Sequence, residues 1–400
     1  MAIITEQPAV GTGFVYSRQP IAYRVTASGT YPVGALFYGI FARVSFSLGG
    51  SASFSVLSET VDFNTNAVFD IHEIVCDGFE RPSPIQTIGD NPLPPLNLPY
   101  TTINRHWYSW GEIEVEFYEK YSLNGIVQMV EVGNILSNTL AVVNGGVNHR
   151  MVQPYGGLRF LTVKPFYSEM PIKPSSENLY FWSHDSSDKT LTIRTRDETG
   201  SFSTIQTANF TGLSRGVYSL NVGTANNIAI PSGTISYEVL LSYTGGAAIG
   251  ATNYNLTCVD GVRLHWLNQF GGFDSWTFPV SAASQKSQAA NFTRYQTIPN
   301  PNTPPNFIYS GGGTATLNVT SVYRQELNNG ETNDTNNQWL RGVASIDIYE
   351  EVLVSGSPQY IKVFFEEADI AVSLFPIESV KAPEFKFIIS DANIINNQRW

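Results

Sequence analysis

Apolar and polar residues alternate with a period of two through much of the chain, as in strands with one buried face. The clearest case is Ile113, Val115 and Phe117, which interleave with Glu112, Glu114, Glu116 and Tyr118. Ile21, Tyr23 and Val25 alternate in the same way, as do Val44, Phe46 and Leu48 against Arg43, Ser45 and Ser47. Gly49-Gly50 separates that last run from Ser51–Leu57, which predicts a hairpin. Val68–Val75 reads as another strand. A second series begins near Leu158. There Thr190–Phe210 predicts a hairpin turning at Glu198–Gly200, and Gly216–Val222 and Ile235–Tyr243 follow at the strand spacing of a sandwich. Ile346–Val354, Tyr360–Phe365 and Phe385–Ile389 add strands near the end. Helical periodicity is scarce: Ser281–Ala290 is the one helix-prone run, with a short helical turn expected around Trp339–Val343.

These elements predict an all-β fold of two or three β-sandwich domains with long Pro-rich loops and very little helix. A chain of 400 residues exceeds what one core ordinarily serves. The expected division is 1–152, an N-terminal sandwich carrying a Pro-rich arm at 82–99; 153–258, a central sandwich; and 259–400, a C-terminal β domain.

One stretch organises the pattern. Cys258–Phe278 reads as a strand, a Gly271-Gly272 turn and a second, aromatic strand. Glycine tolerates the positive φ that a tight reversal requires. Trp266, Phe270, Gly271, Gly272, Phe273, Trp276 and Phe278 are therefore the candidate structural core. The arm is the second singular feature. Six prolines between Pro82 and Pro99 exclude helix and central strand. Leu93, Leu96 and Leu98 sit poorly in water, so the arm either lies on a neighbouring copy or folds back over its own domain. These leucines and the terminal Trp400 are the candidate assembly contacts.

Composition narrows the function classes. Only 14% of residues are charged, and the net charge is −11, with 23 scattered basic residues. That argues against a nucleic-acid-wrapping surface, which needs clustered Lys and Arg. The N-terminus lacks the basic and apolar regions of a signal peptide, and no apolar run is long enough to cross a membrane as a helix. Cys76 and Cys258 make no CxxC site or disulfide framework, and both are expected as buried thiols.

The chemistry-bearing residues do not converge. His72, His106, His149, His184 and His265 show no metal-ligand spacing, and no nucleophile-elbow, phosphate-loop or dinucleotide motif occurs in its required context. Glu112, Glu114 and Glu116 share a strand face, which suits a cation site or a solvated outer face. Trp107, Tyr108 and Trp110 are the best candidates for a sugar-stacking platform, against a reading as packing residues. No catalytic, cofactor-binding or metal residue is assigned, and the expectation is a non-enzymatic protein without cofactors.

Three segments in order resemble virion proteins of tailed bacteriophages, especially those infecting Bacteroidota hosts. They are SRQPIAYRVTAS (Ser17–Ser28), VRLHWLNQFGGFDSWTF (Val262–Phe278) and WLRGVASIDIYEEVLVSGSPQYIKVFFEEADI (Trp339–Ile370). Gln19 stands where that family often has Asn, and the long Pro-rich inserts do not align with it. The resemblance implies a structural component of the virion, associated with the tail hub, distal tail, baseplate or neck. It carries over no functional residues. Low charge and extended arms suit self-assembly. The expected partners are copies of the chain in a homo-oligomeric ring and other virion proteins, with no nucleic acid and no membrane insertion. The expected location is the virion, after assembly in the host cytoplasm. The alternative is a receptor-binding or carbohydrate-binding sandwich contacting a glycan on the host surface.

Overall fold

The alternating runs fold as strands that pair mostly antiparallel. The computed structural model describes residues 3–8, 14–29, 31–50, 54–80, 98–106, 109–129, 135–145, 160–162, 164–268, 270–294, 313–328, 339–340, 343, 348–354, 357–369 and 384–389. The chain divides into two units, Met1–Cys258 with Trp266–Trp276, and Val259–His265 with Thr277–Trp400.

The first unit opens with β1 (Ile3–Glu6), β2 (Val15–Tyr16), β3 (Ala22–Thr26), β4 (Leu36–Leu48), β5 (Ser55–Asp62) and β6 (Asn66–Asp70). Helix α1 (His72–Glu80) follows, then β7 (Ile103–Arg105), β8 (Trp110–Leu123), β9 (Ile126–Met129), β10 (Ile135–Leu136) and β11 (Leu140–Val143). A sheet β1-β3-β6 packs on a sheet ordered β2-β11-β8-β4-β5, to which β9 and β10 add by pairing with β8. The inward positions read from the alternation meet between the sheets: Tyr23, Val25 and Phe69 on one side, Val44, Ile113, Val115 and Phe117 on the other. Period-2 patterning thus becomes a sandwich core.

The segment after β6 departs from expectation. The strand read over Val68–Val75 stops at Asp70, and α1 begins. Asp70 Oδ1 accepts from His72 N at 3.3 Å, and Val75 N donates to Ile71 O at 3.1 Å. A carboxylate placed to cap the first turn outweighs the β-branched run that suggested strand. Cys76 lies in this helix and donates to Ser17 O at 3.2 Å.

The second sandwich is built from β12 (Tyr167–Pro171), β13 (Asn178–Ser183), β14 (Lys189–Asp197), β15 (Phe202–Phe210), β16 (Gly216–Asn221), β17 (Thr234–Tyr243) and β18 (Ala248–Thr257). A sheet β12-β18-β17-β14-β15 faces a sheet β13-β16-β7. The β14–β15 hairpin turns where the sequence places it. Asp197 Oδ1 accepts from Thr199 N and Ser201 N, a local turn lock typical of Asp. Leu179, Phe181, Leu191, Ile193, Leu220, Tyr237 and Val239 fill the core. β7 lies before the boundary expected at residue 152, yet it pairs with β16 in this sheet. Ile103 packs on this core, so side-chain fit rather than chain order decides its sheet.

The second unit carries the outer ends of β19 (Val262–Leu267) and β20 (Phe273–Phe278), then β21 (Val280–Arg294), β22 (Gly313–Asn328), β23 (Ile348–Val354), β24 (Ser357–Asp369) and β25 (Glu384–Ile389). The sheet order is β20-β19-β23-β24-β25-β22-β21. The run Ser281–Ala290, expected as helix-prone, is strand β21, paired along its length with β22. Its Ala, Gln and Lys residues favour helix by only tenths of a kcal/mol each, and continuous pairing with a long partner strand overrides that preference. Trp339 and Leu340 are helical and buried, as the expected turn requires. Cys258 is exposed, contrary to the buried thiol expected, because it follows the last ladder residue of β18 in the Val259-Asp260-Gly261 connection. The described residues are mostly strand, and no helix among them is long and apolar enough to cross a membrane.

Candidate functional site

The β19–β20 hairpin is where the structure concentrates its polar chemistry, and its tip belongs to the first unit. Asn268 builds the reversal. Its backbone N donates to Gly272 O at 2.8 Å, and its Oδ1 accepts from Phe270 N at 2.8 Å and Gly272 N at 3.3 Å. Gly271 has φ of 80°, and a Cβ there would also strike Asn144 O. At Gly272 a Cβ would lie 2.6 Å from Leu161 O and 2.9 Å from Tyr180 Cβ. The tip is therefore a wedge whose two glycines touch different sandwiches: Gly271 the end of β11, and Gly272 the start of the second sandwich.

Aromatic rings line the same seam. Phe270 packs on Tyr16 (centroids 5.7 Å apart) and Phe273 on Tyr180 (6.1 Å), while Trp110 meets Trp182 edge-on at 5.6 Å. Of the candidate core residues, Trp266, Phe273, Trp276 and Phe278 are buried, as are Gly271 and Gly272; Phe270 is half-buried. Trp110 is also buried, which removes it from any sugar-stacking platform; Trp107 and Tyr108 lie outside the described residues.

Beside the wedge is a sealed polar knot. Lys164 and Glu177 have side chains 2% and 1% exposed, and Nζ donates to Oε1 at 2.8 Å. Nζ also donates to Ser275 O at 3.1 Å and sits 5.1 Å from the Tyr254 ring centre. Tyr254 OH donates to Glu177 Oε1 at 3.1 Å, and Ser275 Oγ donates to Oε2. Asp274 Oδ1 accepts from Thr162 Oγ1 and from Asn268 Nδ2, the latter at 2.9 Å. A buried charge pair is tolerated when further hydrogen bonds complete its shell, as here. The knot joins Thr162 and Lys164 to Glu177, the residue leading into β13, and to β18 and the hairpin. Both charges are sealed from solvent, so its chemistry is fastening. No sequence signal marked it, since Lys164 and Glu177 are single charges 13 residues apart with no motif linking them.

In the second unit, His265 Nε2 lies 2.9 Å from Glu351 Oε2, with Arg263 Nε 3.6 Å from the same oxygen. Arg263 Nη1 also donates to Thr277 Oγ1 at 3.0 Å. The side chains of His265 and Arg263 are 1% and 6% exposed, so this too is an internal tie.

The other histidines are separate. His106 is buried against Ser219, its Nε2 and Oγ 2.8 Å apart, and desolvation lowers its pKa to about 4. His72 pairs with Asp70 at 3.0 Å, His184 is exposed, and His149 lies outside the described residues. Glu112, Glu114 and Glu116 each hold a different partner: Arg215 at 3.4 Å, Thr139 at 2.7 Å and Arg43 at 2.9 Å. They form a laced outer face. Among the described residues no group of three or more His, Cys, Asp or Glu is placed to hold a metal ion.

The candidate assembly contacts fall mostly outside this picture. Leu93, Leu96 and Trp400 lie outside the described residues. Leu98 is half-buried, and its carbonyl accepts from Asn226 Nδ2 at 2.9 Å, which ties the end of the Pro-rich connection to the second sandwich of the same chain. Sequence comparison adds no neighbour: no protein-family model matches the chain, and no curated protein shows significant similarity to it.

Proposed function

We propose that this chain is a non-enzymatic structural subunit of a tailed-phage virion, associated with the tail or neck, that assembles as a symmetric oligomer. The observation that carries the reading is how the polar interior is used. The buried ionisable groups of the hairpin region, Lys164, Glu177 and Asp274, are spent on tying elements together. The exterior supports the same reading. Leu36, Tyr167 and Ile172 are 73%, 62% and 55% exposed, on a chain with few charges to keep it apart from its copies. Tyr167 opens β12 and Ile172 follows it, at the edge strand of their sheet among the described residues, and an open apolar sheet edge suits pairing with another copy. Val262–Phe278, one of the three segments that carry the resemblance, also contains the wedge, so the shared residues coincide with an architectural role.

The test is the size and shape of the purified protein. Light scattering and negative-stain microscopy should find a discrete oligomer, ring-shaped in projection. A strict monomer at high concentration would remove the assembly reading. The second reading, a module that binds a receptor or carbohydrate on the host surface, is favoured by one observation: an aromatic and carboxylate-lined groove on the first sandwich.

A further inference from the structure

We infer that this groove is a binding site for a neutral pyranoside. The inference rests on the second reading and deepens it, and it is independent of the virion assignment. The groove, about 290 Å³, opens where the last strands of the two sheets of the first sandwich, β5 and β6, come together beside α1. That volume is at the lower end of small-molecule sites and suits one sugar ring. Phe63, Asp62, Asn64, Asp70 and Thr60 contribute to its wall.

The chemistry of the wall selects the ligand. Phe63 is 63% exposed although it is a phenylalanine, and it is held in place by Tyr38, whose ring meets it edge-on at 5.8 Å. Tyr38 in turn stacks on Phe41, 6.3 Å away. A buttressed, bare aromatic ring offers a flat surface to the C–H face of a pyranose. Acceptors stand beside it with fixed orientation. Asp62 Oδ1 accepts from Asn64 N at 3.0 Å and from Asn64 Nδ2 at 2.7 Å. Asp70 Oδ1 accepts from Ile21 N and lies against His72 Nδ1, both at 3.0 Å. A carboxylate with one oxygen held by local donors keeps further acceptor capacity for ligand hydroxyls. Asn64 and Thr60 supply amide and hydroxyl groups of both polarities.

Charge then excludes other occupants. Among the described residues no Lys or Arg lines the groove, so an anionic sugar or a phosphate meets two carboxylates and no counter-charge from them. A quaternary ammonium needs a cage of rings around it, whereas Phe69, the other ring in the wall among the described residues, is only 4% exposed. A ligand with an apolar face and a rim of hydroxyl donors matches the arrangement.

The experiment is saturation-transfer NMR on the full chain with methyl α-D-mannopyranoside, methyl β-D-galactopyranoside, N-acetyl-D-glucosamine, D-glucuronate and choline, each to about 50 mM, since a ligand of one ring is expected to bind weakly. At least one neutral pyranoside should show transfer, and D-glucuronate and choline should not. Phe63→Ala should weaken the bound sugar roughly tenfold or more. Asp62→Asn keeps the local turn, because an amide oxygen can still accept from Asn64, and should weaken binding as well. Thermal melting of both variants should stay near that of the parent, since both side chains are at least partly exposed. Failure of every neutral pyranoside to bind, binding unchanged in Phe63→Ala, or preferential binding of choline or glucuronate would each overturn the inference. None of these outcomes bears on whether the chain forms an oligomer.

Discussion

For single residues, the decisive quantities are burial and the partners each polar atom finds. Lys164 and Glu177 sit inside the protein with each other and with Ser275 and Tyr254. Lys164→Ala leaves a buried carboxylate without its cation and should cost about 3–5 kcal/mol in urea unfolding. Replacing both together, Lys164→Met with Glu177→Leu, should cost clearly less than the single change, because no unpaired charge remains. His106 makes the pH prediction. Its folded pKa is about 4, below the ordinary 6.5, because burial disfavours the imidazolium. The unfolded chain therefore binds a proton over that interval that the folded chain refuses. The contribution is fully present above pH 6.5 and is lost as pH falls toward 4, by about 3 kcal/mol in all. Unfolding curves at about pH 7 and about pH 4.5 should show a smaller acid-side loss for His106→Gln than for the parent.

Among the elements, the β19–β20 hairpin joins sequence pattern to architecture. Alternation and two glycines made it legible as strand–turn–strand, and its aromatic content marked it as core. Its contacts were not legible, because they depend on Asn144, Leu161 and Tyr180, remote in the chain and brought to the tip only by folding. Gly272→Ala should destabilise by about 1–3 kcal/mol, since the new methyl meets backbone and a ring base that cannot easily yield. Trp266→Ala should cost about 3–5 kcal/mol, as a fully buried ring is replaced by a cavity. Both are read from chemical denaturation midpoints with unchanged m-values. Helix α1 is the contrasting case. Ile71, Ile74 and Val75 carry a strand-like composition, and the cap from Asp70 is visible only as one aspartate among many.

Taken whole, the chain is a set of sheets whose surface carries few charges and several bare apolar side chains. Thiol labelling of the native protein samples this arrangement directly. Cys258 is exposed and should react quickly with an aromatic disulfide reagent, whereas Cys76, half-buried in α1, should react slowly. Equal rates would show that the helix opens readily or that the β18–β19 connection is covered, for instance by another copy of the chain.

The all-β class was written in the residues alone. Period-2 alternation, glycine turns and scarce helical periodicity specify strands, because each of these signals acts over a few residues. The interior placement of Trp266, Phe273, Trp276 and Phe278 was equally local, since large rings in an alternating register are driven out of water together. Folding in three dimensions settled which sheet β7 joins, that Lys164 finds Glu177 and Ser275, and that Phe63 is left bare beside Asp62. The first two outcomes depend on pairing between segments from 13 to more than a hundred residues apart. The third depends on which neighbouring strands leave the ring uncovered. Spacing along the chain carries no information about such distances until backbone hydrogen bonding and core packing have closed the loops between them.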